Sequence, residues 1–204
     1  MRRLSEYIGS QFGNPRGIIG KICCLITNII NMTMYNGVVD SLILNNNMKI
    51  LDIGYGNGYM LNKLYKKSDG KIYGIDISED MKKEASKKNH KAISRGKMHL
   101  TIGDCCKLDY ADVTFNAITS VNTIYFWEDT LKGLEEIYRV LKADGVFSNA
   151  VYSKEWMQRT SYTKKGFKLF TPQEIAILAK KAGFSKVEIK DIGHRNRYII
   201  KCVK

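Results

Sequence analysis

The chain has 204 residues, which is enough for one domain with a full hydrophobic core. Hydrophobic residues make up 44% of it and charged residues 26%, which excludes a disordered or fibrous chain. The formal net charge is +13, and much of it falls in segments 82–97 and 152–204. Such a charge fits a nucleic-acid partner, an anionic substrate or a lysine-rich solvated surface.

The five cysteines and the N-terminal segment set further limits. An odd number of cysteines without C-x-x-C spacing argues against a disulfide framework and a zinc site, and favours reduced thiols in a cytoplasmic protein. Segment 17–30, "GIIGKICCLITNII", is too short and too interrupted to span a membrane, and lacks the features of a signal peptide. We expect residues 1–45 to form a helical cap on the unit 46–204, within one structural domain. The cap helix has an apolar stripe at helical spacing that should cover this domain: Ile18, Ile19, Ile22, Leu25, Ile26 and Ile29.

A strand, a glycine loop and a helix follow. Ile50, Leu51 and Ile53 predict a short buried parallel strand. Glycines then occupy every second position from 54 to 58, where the backbone can turn sharply and a ligand can approach closely. Apolar residues at helical spacing predict a helix over about 58–67. This order indicates that a ligand is held against the loop.

The remaining elements alternate in the same manner. We expect further strands at 71–76, 99–102, 115–121 and 145–151, with helices at about 79–90 and 128–141, which predicts a mostly parallel sheet with helices on both faces. Thr171 and Pro172 are typical of a helix start, and Gly183 of its end. Two strand-like runs then follow with only a short turn between them. The sheet should therefore have seven strands and end in an antiparallel one.

The pocket chemistry follows from two carboxylates. The spacing of Gly54, Gly56 and Gly58 departs from the dinucleotide pattern G-x-G-x-x-G. Asp52, just before the loop, is poorly placed beside a pyrophosphate but suits a ligand with a positively charged amino group. Asp76, at the end of the second strand, can accept hydrogen bonds from both hydroxyls of a ribose. The site therefore favours a ribose and a cation without phosphates.

These features describe S-adenosylmethionine, and the chain resembles the class I methyltransferases that use it. The resemblance is closest to the small-molecule branch called type 11 or ubiquinone-biosynthesis-like, and extends from about Lys49 to Lys204. The motifs that carry it occur in the family's order: "LDIGYGNG", "IYGIDISEDM", "TIGDCCKLDY", "FNAITSVNTIYFW", "IYRVLKADGVF" and "LFTPQEIAILAKKAGFSKVEI". The resemblance implies a Rossmann-like fold and S-adenosylmethionine as the cofactor.

It also implies roles for individual residues. Asp52 would orient the methionine amino group, Asp76 would bind the ribose, and Asp104 would accept from the adenine amino group. The Cys105 backbone N–H would reach an adenine ring nitrogen, and Asn122 would lie near the methionine moiety. The other expected cofactor contacts are the loop residues and two apolar side chains on the adenine faces: Gly54, Tyr55, Gly56, Asn57, Gly58, Ile77 and Met81.

The chain departs from the family pattern at a few positions. Tyr55 stands where a small residue or cysteine is commoner and adds bulk beside the cofactor. Asn116 replaces an acid, and Ala143-Asp144 replaces Pro-Gly. None of these changes removes a cofactor contact, so the cofactor assignment is unaffected.

Candidate substrate residues come from three segments. Tyr125 and Trp127 lie at the carboxyl end of the fourth strand, where ligands bind in open α/β sheets. Phe126 lies there too, but packing in the core is an alternative role for its side chain. Segment 152–168 is either a substrate lid or a polar connection. Tyr7, Phe12 and Arg16 flank a turn in the cap, and our hypothesis is that they close over cofactor and acceptor, with Arg16 paired to an anion.

The sequence thus predicts a cytoplasmic methyltransferase, monomeric or homodimeric, that acts on a small molecule. It identifies neither the acceptor atom nor a catalytic base, and it predicts no metal. Two alternatives stay open: methylation of RNA or protein, favoured by the charge, and a cofactor-binding module without catalysis. Cys105 and Cys106 are expected to act through backbone and packing and not as a reactive pair.

Overall fold

The computed structural model describes residues 17–163, 165–193 and 196–204. The described elements are α1 (Gly17–Ile30), α2 (Met32–Asp40), β1 (Lys49–Ile53), α3 (Tyr59–Lys67), β2 (Lys71–Asp76), α4 (Glu79–Lys88), α5 (His90–Ser94), β3 (Met98–Ile102), β4 (Phe115–Val121), α6 (Thr130–Val140), β5 (Leu141–Tyr152), α7 (Lys154–Gln158), α8 (Pro172–Lys181), β6 (Lys186–Asp191) and β7 (Arg197–Val203). Short 3₁₀ turns occur at Ile124–Phe126 and Ser161–Thr163.

The strands form one seven-stranded sheet in the order β3-β2-β1-β4-β5-β7-β6. Strands β1 to β5 pair in parallel, and β7 is antiparallel to both of its neighbours. The prediction of a Rossmann-like sheet with an antiparallel last strand is confirmed. From β1 the chain moves outward to β2 and β3 and then returns to β4 on the other side. The crevice at the carboxyl ends of β1 and β4 is therefore the switch point, where sheets of this kind bind ligands.

Helices cover both faces of the sheet because neighbouring strand residues alternate between the faces. On one face, Ser148 contacts Ser41 after α2, and Gly74 lies under Leu61 of α3. On the other face, Phe147 packs near Phe184, which follows α8. Because helices cover both faces, β1 and β4 are buried along almost their whole length.

The predicted boundaries shift at two places. The helix expected at about 79–90 is divided at Asn89, whose buried side chain donates to the carbonyls of Gly58 and Ala85. Strand β5 begins at Leu141, earlier than expected, because residues 142–145 form a bulge between the pairs Phe115–Leu141 and Ala117–Val146. Asp144 has φ of 59° in that bulge, where the family commonly has a glycine.

The cap helix differs from its prediction. The described members of its apolar stripe, Ile22, Leu25, Ile26 and Ile29, are between 51% and 76% exposed. The buried positions of α1 include Asn28, and Asn31 directly after it is also buried. These described members of the stripe therefore do not cover the domain, and among the described side chains Asn28 and Asn31 make inward contacts. Among the described residues, no helix is long and apolar enough to cross a membrane.

Candidate active site

The glycine loop lies at the carboxyl end of β1, and its three glycines have different reasons to lack a side chain. All three have positive φ, between 51° and 76°. A Cβ on Gly54 would lie 2.3 Å from Cγ2 of Thr123, which follows β4. A Cβ on Gly58 would lie 2.6 Å from Nδ2 of Asn89, whereas one on Gly56 would meet nothing within 4 Å. Gly54 and Gly58 therefore allow close packing, and Gly56 leaves open space for a ligand.

Asp76 ends β2 and fixes the loop. Its Oδ2 accepts the Gly56 N–H at 2.8 Å, and its Oδ1 accepts the Ser78 N–H at 2.9 Å. Burial raises the pKa of this carboxyl, and the backbone N–H groups oppose that rise. Each carboxyl oxygen has a second lone-pair direction. Asp76 can therefore hold the loop and still accept from the two hydroxyls of a ribose.

Asp52 is a second buried carboxyl, on β1. Its Oδ1 accepts the Thr119 hydroxyl of β4 at 2.6 Å. Burial raises the pKa of Asp52 to about 7, since the Thr119 hydrogen bond only partly offsets the loss of water and the charge of Asp76 adds to the rise. A cationic ligand group at this position would favour the ionised carboxyl. This fits the expected methionine ammonium.

Asp104, Cys105 and Cys106 form the corner after β3. The Cys106 N–H donates to Asp104 Oδ1 at 2.8 Å, and the Cys106 thiol donates to the Asp129 carbonyl. The atoms of these side chains that could bind a metal, a carboxylate oxygen of Asp104 and the two Sγ atoms, lie within 4.8 Å of one another. Burial raises the pKa of both thiols, so they are held in the protonated form, which is a poor nucleophile and a poor metal ligand.

The expected apolar contacts separate in the structure. Ile77 lines the cavity and is half exposed, as a residue covering an adenine face would be. Met81 is fully buried in α4 and, like Gly58, does not line the cavity. Tyr55 lines it, but its ring extends across Gly74, and its hydroxyl donates to the Thr101 carbonyl at 3.2 Å. The bulk of Tyr55 is therefore placed over β2 and β3.

These residues surround one cavity of about 570 Å³. Such a volume lies within the usual range for small-molecule sites of about 300–1,000 Å³. One half is formed at the ends of β1, β2 and β3 by Asp52, Asp76, Asp104 and the glycine loop. The other half is formed by α1, the ends of β4 and β5, and segment 152–162. Its aromatic lining residues are Tyr35, Tyr125, Phe126, Trp127, Tyr152, Trp156 and Tyr162. We call this second half the aromatic chamber.

Two asparagines fasten α1 over the cavity. Asn28 Nδ2 donates to Oδ1 of Asn57 in the glycine loop at 3.1 Å, and the Tyr35 hydroxyl donates to Asn28 Oδ1 at 3.1 Å. Asn31 Oδ1 accepts the Tyr152 hydroxyl at 2.9 Å. Asn57 thus contacts α1 and also lies at the expected cofactor position. These contacts join the two halves of the cavity.

The residues after β4 line the chamber in an unexpected manner. Tyr125 and Trp127 both line the cavity, yet they are only 2% and 5% exposed, whereas Phe126 also lines it and is less deeply buried. The Tyr125 hydroxyl accepts the Tyr152 N–H at 2.6 Å. The Trp127 indole N–H donates to Thr123 Oγ1 at 3.2 Å. Tyr125 and Trp127 therefore form a fixed wall, and Phe126 contributes a more accessible ring.

Asn122 lies at the end of β4 and lines the cavity. Its φ is 58°, an uncommon conformation for a residue with a side chain, and its N–H donates to the Ala150 carbonyl. Its Oδ1 accepts the Tyr125 hydroxyl at 3.3 Å. Strained residues of this kind are frequent at functional sites. Its location beside the methionine moiety stays a prediction.

The sequence left several site residues unassigned. The sequence does not indicate the interior polar contacts of Asn28 and Asn31, because the apolar stripe dominates the helical pattern of α1. Tyr152 and Trp156, whose rings stack with centroids 4.2 Å apart, lie in the segment with two open interpretations. The only sequence feature that pointed to a functional role for them was the mixture of aromatic and basic residues in segment 152–168. Tyr7, Phe12 and Arg16, the hypothetical closing residues, lie outside the described residues.

Comparisons with known proteins agree with this geometry. Residues 51–148 match the family model described as "Methyltransferase domain", type 11. An uncharacterised methyltransferase of Bacillus subtilis, YdaC, is 29% identical over 161 residues, which cover 78% of this chain and 84% of that protein. The rice enzyme 2-methyl-6-phytyl-1,4-hydroquinone methyltransferase 1 is 30% identical over 149 residues, which cover 72% of this chain but only 44% of that enzyme.

A crystal structure of a methyltransferase from Aquifex aeolicus that depends on S-adenosylmethionine aligns with a TM-score of 0.72. It is 23% identical, and the alignment covers 85% of this chain and 92% of that one. The family match, the relatives named as methyltransferases and the shared fold thus indicate a class I methyltransferase that uses S-adenosylmethionine. The family match over residues 51–148 and the relatives named as methyltransferases support a class I methyltransferase of the type 11 family.

The cofactor supplies a methyl group already activated on a sulfonium. The residues present fit it, since Asp76 has free acceptor capacity, Gly56 leaves open space and Asp52 offers a buried carboxyl. With the cofactor bound, the chain's own residues would orient donor and acceptor, α1 and the aromatic chamber would exclude water, and Asp52 would place charge beside the ammonium.

Proposed function

We propose that the protein transfers the methyl group of S-adenosylmethionine to a small, largely apolar acceptor that carries an aromatic ring. The aromatic chamber supports this proposal, because flat rings pack favourably between aromatic side chains. It offers few polar groups, among them the Tyr152 hydroxyl and the amide of Asn31. An acceptor hydroxyl or ring carbonyl would be oriented by that pair. The resemblance to the rice hydroquinone methyltransferase agrees with this chemistry.

The charges of the cavity favour a neutral acceptor. Among the described lining residues there is no lysine, arginine or histidine, although the chain as a whole carries +13. The charged lining residues are acidic, namely Asp52, Asp76, Asp104 and Glu128. An anionic acceptor would be repelled by this surface. The positive charge therefore gives no support to methylation of a phosphate-bearing molecule inside the cavity.

The test is methyl transfer to a panel of acceptors, followed by release of S-adenosylhomocysteine. The panel contains hydroquinones, naphthols, catechols and aromatic amines, together with total RNA and a mixture of denatured proteins. We expect turnover with one or more of the small aromatic compounds. Turnover only with RNA or protein would overturn the proposal.

Variants then test whether the chamber holds the acceptor. Tyr152→Phe removes the hydroxyl that Asn31 accepts, and Trp156→Ala removes the ring stacked on Tyr152. We expect both to lower kcat/KM for the acceptor at least about fivefold, since one hydrogen bond and one aromatic contact are each worth about 1 kcal/mol. Cofactor affinity should change less than twofold. Tyr65→Phe, on α3 outside the cavity, is the matched control.

A further inference from the structure

Helix α1 presents an apolar surface to solvent at the mouth of the cavity. Five large side chains make up this apolar ridge: Ile22, Leu25, Ile26, Ile29 and Ile30. Each is between 48% and 76% exposed. Single exposed apolar side chains are common, but a continuous group on one helix marks an interaction surface. The part of the chain that the structure describes therefore leaves the ridge uncovered.

The ridge is continuous with the active-site cavity. Ile26 and Ile30 line the cavity although about half of each side chain is exposed. Leu25 and Ile29 lie on the outer side, in a shallow groove that also contains Tyr59 of α3 and Lys88 of α4. An apolar molecule that leaves this surface can enter the aromatic chamber without crossing a charged rim at α1.

The charge beside the ridge is basic. Lys88 borders the groove, and Lys83, Lys87 and Lys91, its near neighbours in the chain, are exposed. Helix α1 contains no acidic residue. The nearest acidic groups are already engaged, since Asp80 accepts the Gly17 N–H and Glu84 pairs with Lys87 at 3.8 Å. Exposed apolar side chains next to lysines are the pattern of a helix that lies in a membrane interface.

We propose that the apolar ridge of α1 docks the protein on the surface of an anionic lipid bilayer, with the helix parallel to the membrane. The net charge of +13 attracts such a surface, and it opposes a second copy of the same chain as the occupant. In this orientation the cavity mouth faces the bilayer. The proposal concerns the surface alone and does not depend on the identity of the acceptor.

The first experiment is cosedimentation of the purified full chain with vesicles. Vesicles of equal parts phosphatidylglycerol and phosphatidylcholine should bind the protein, and vesicles of phosphatidylcholine alone should bind it at least tenfold more weakly. Binding should fall as salt is added. If the protein stays in the supernatant with anionic vesicles, the proposal is wrong.

A variant with its matched control separates the ridge from general charge attraction. Ile22→Gln, Leu25→Gln and Ile29→Gln combined should weaken vesicle binding at least tenfold, and these residues do not line the active-site cavity. Ile43→Gln, Ile177→Gln and Ile189→Gln combined change exposed apolar residues away from α1 and should leave binding unchanged. Equal binding by both variants would overturn the proposal. So would a wild-type dimer in lipid-free solution that the ridge variant converts to a monomer.

Hydrogen exchange on the wild-type protein provides a test that needs no variant. Anionic vesicles should slow the exchange of amides in residues 17–30 and leave those of α8, on the opposite face of the sheet, unchanged. Uniform rates with and without vesicles would contradict docking through α1. Because no acceptor is present in these measurements, they can fail or succeed independently of the proposed function.

Discussion

The carboxyl group of Asp52 is buried between β1 and β4, and its pKa of about 7 places it near half ionisation at neutral pH. An ammonium group beside Asp52, where the resemblance implies that the cofactor places it, would favour the ionised form, so binding would remove a proton whenever Asp52 is protonated. Cofactor affinity should therefore fall as the pH drops below about 7, by up to about tenfold per pH unit. Calorimetric titration between pH 5 and pH 8.5 measures this, and proton release shows as a dependence on buffer ionisation heat.

Asp52→Asn is the control for that prediction, since it keeps the shape and removes the titration. The variant should bind cofactor more weakly at pH 8, with little change down to pH 6. The raised pKa of Asp52 also affects the stability of the folded protein. Its contribution to the free energy of unfolding is largest below about pH 4 and is lost as the pH rises toward 7. Unliganded Asp52→Asn should therefore be more stable than the wild type at pH 8. A lower melting temperature there would contradict the assigned pKa shift.

Gly56 and Gly58 permit a paired test of the loop. Alanine at either position has positive φ, which costs about 1–2 kcal/mol. Gly58→Ala also forces a methyl group against Asn89 and Ala85, and such overpacking adds about 1–3 kcal/mol. Urea unfolding should show the larger stability loss for Gly58→Ala. Gly56→Ala points its methyl into the cavity and should weaken cofactor binding more than its stability loss explains. A larger stability loss for Gly56→Ala, or weaker cofactor binding by Gly58→Ala, would contradict the described positions of these two glycines.

At the scale of elements, Arg139 of α6 organises the connection between β3 and β4 that carries Asp104. Its guanidinium donates to the carbonyls of Leu108 and Tyr110, to Glu136 and to Asp112, over distances of 2.7–2.9 Å. Glu136 in turn accepts the Leu108 N–H. Neighbouring carboxylates hold the pKa of Arg139 above its usual value. A single side chain thus fixes several backbone groups of this loop.

Arg139→Lys keeps the charge but cannot form this planar fork. We expect the free energy of unfolding to fall by about 1–3 kcal/mol, since two backbone carbonyls lose their donor. Cofactor binding should weaken as the Asp104 corner loosens. Lys132→Ala breaks an exposed ion pair of 3.9 Å on the same helix and should cost less than about 1 kcal/mol. Equal losses for the two variants in urea unfolding would contradict the role of Arg139.

At the scale of the whole molecule, the net charge of +13 opposes compaction. Salt screens this repulsion, because the screening length falls from about 30 Å at 0.01 M to about 8 Å at 0.15 M. The melting temperature should rise by about 2–4 °C over this range, the shift that about 1 kcal/mol produces in a chain of this size. Thermal unfolding in sodium chloride measures it.

The control for the salt effect lowers the charge without touching the cavity. Lys83→Glu, Lys91→Glu and Lys180→Glu combined alter exposed residues, and each change lowers the net charge by two units. This variant should show a smaller salt dependence than the wild type. A melting temperature that falls with salt in the wild type would mean that favourable ion pairs outweigh the general repulsion.

The sequence by itself determined the elements that depend on local chemistry. Thr171 and Glu174 form the capping box of α8 with Pro172 at its first position, and Gly183 takes positive φ just past its end. The glycine loop after β1, the positions of Asp52 and Asp76 at strand ends, and the antiparallel last strand were also predictable. In each case the relevant residues are neighbours in the chain or lie at corresponding ends of parallel strands, so spacing alone fixes their relation.

Only the tertiary structure decided which face of α1 turns inward and what the second half of the cavity contains. Helical periodicity favours burial of the isoleucines, but Asn28 and Asn31 are buried because Asn57, Tyr35 and Tyr152 satisfy their polar atoms. The aromatic chamber joins segments more than a hundred residues apart, and the pKa of Asp52 depends on the burial that this assembly produces. Burial and hydrogen-bond partners are properties of the folded chain, so local sequence patterns do not determine them.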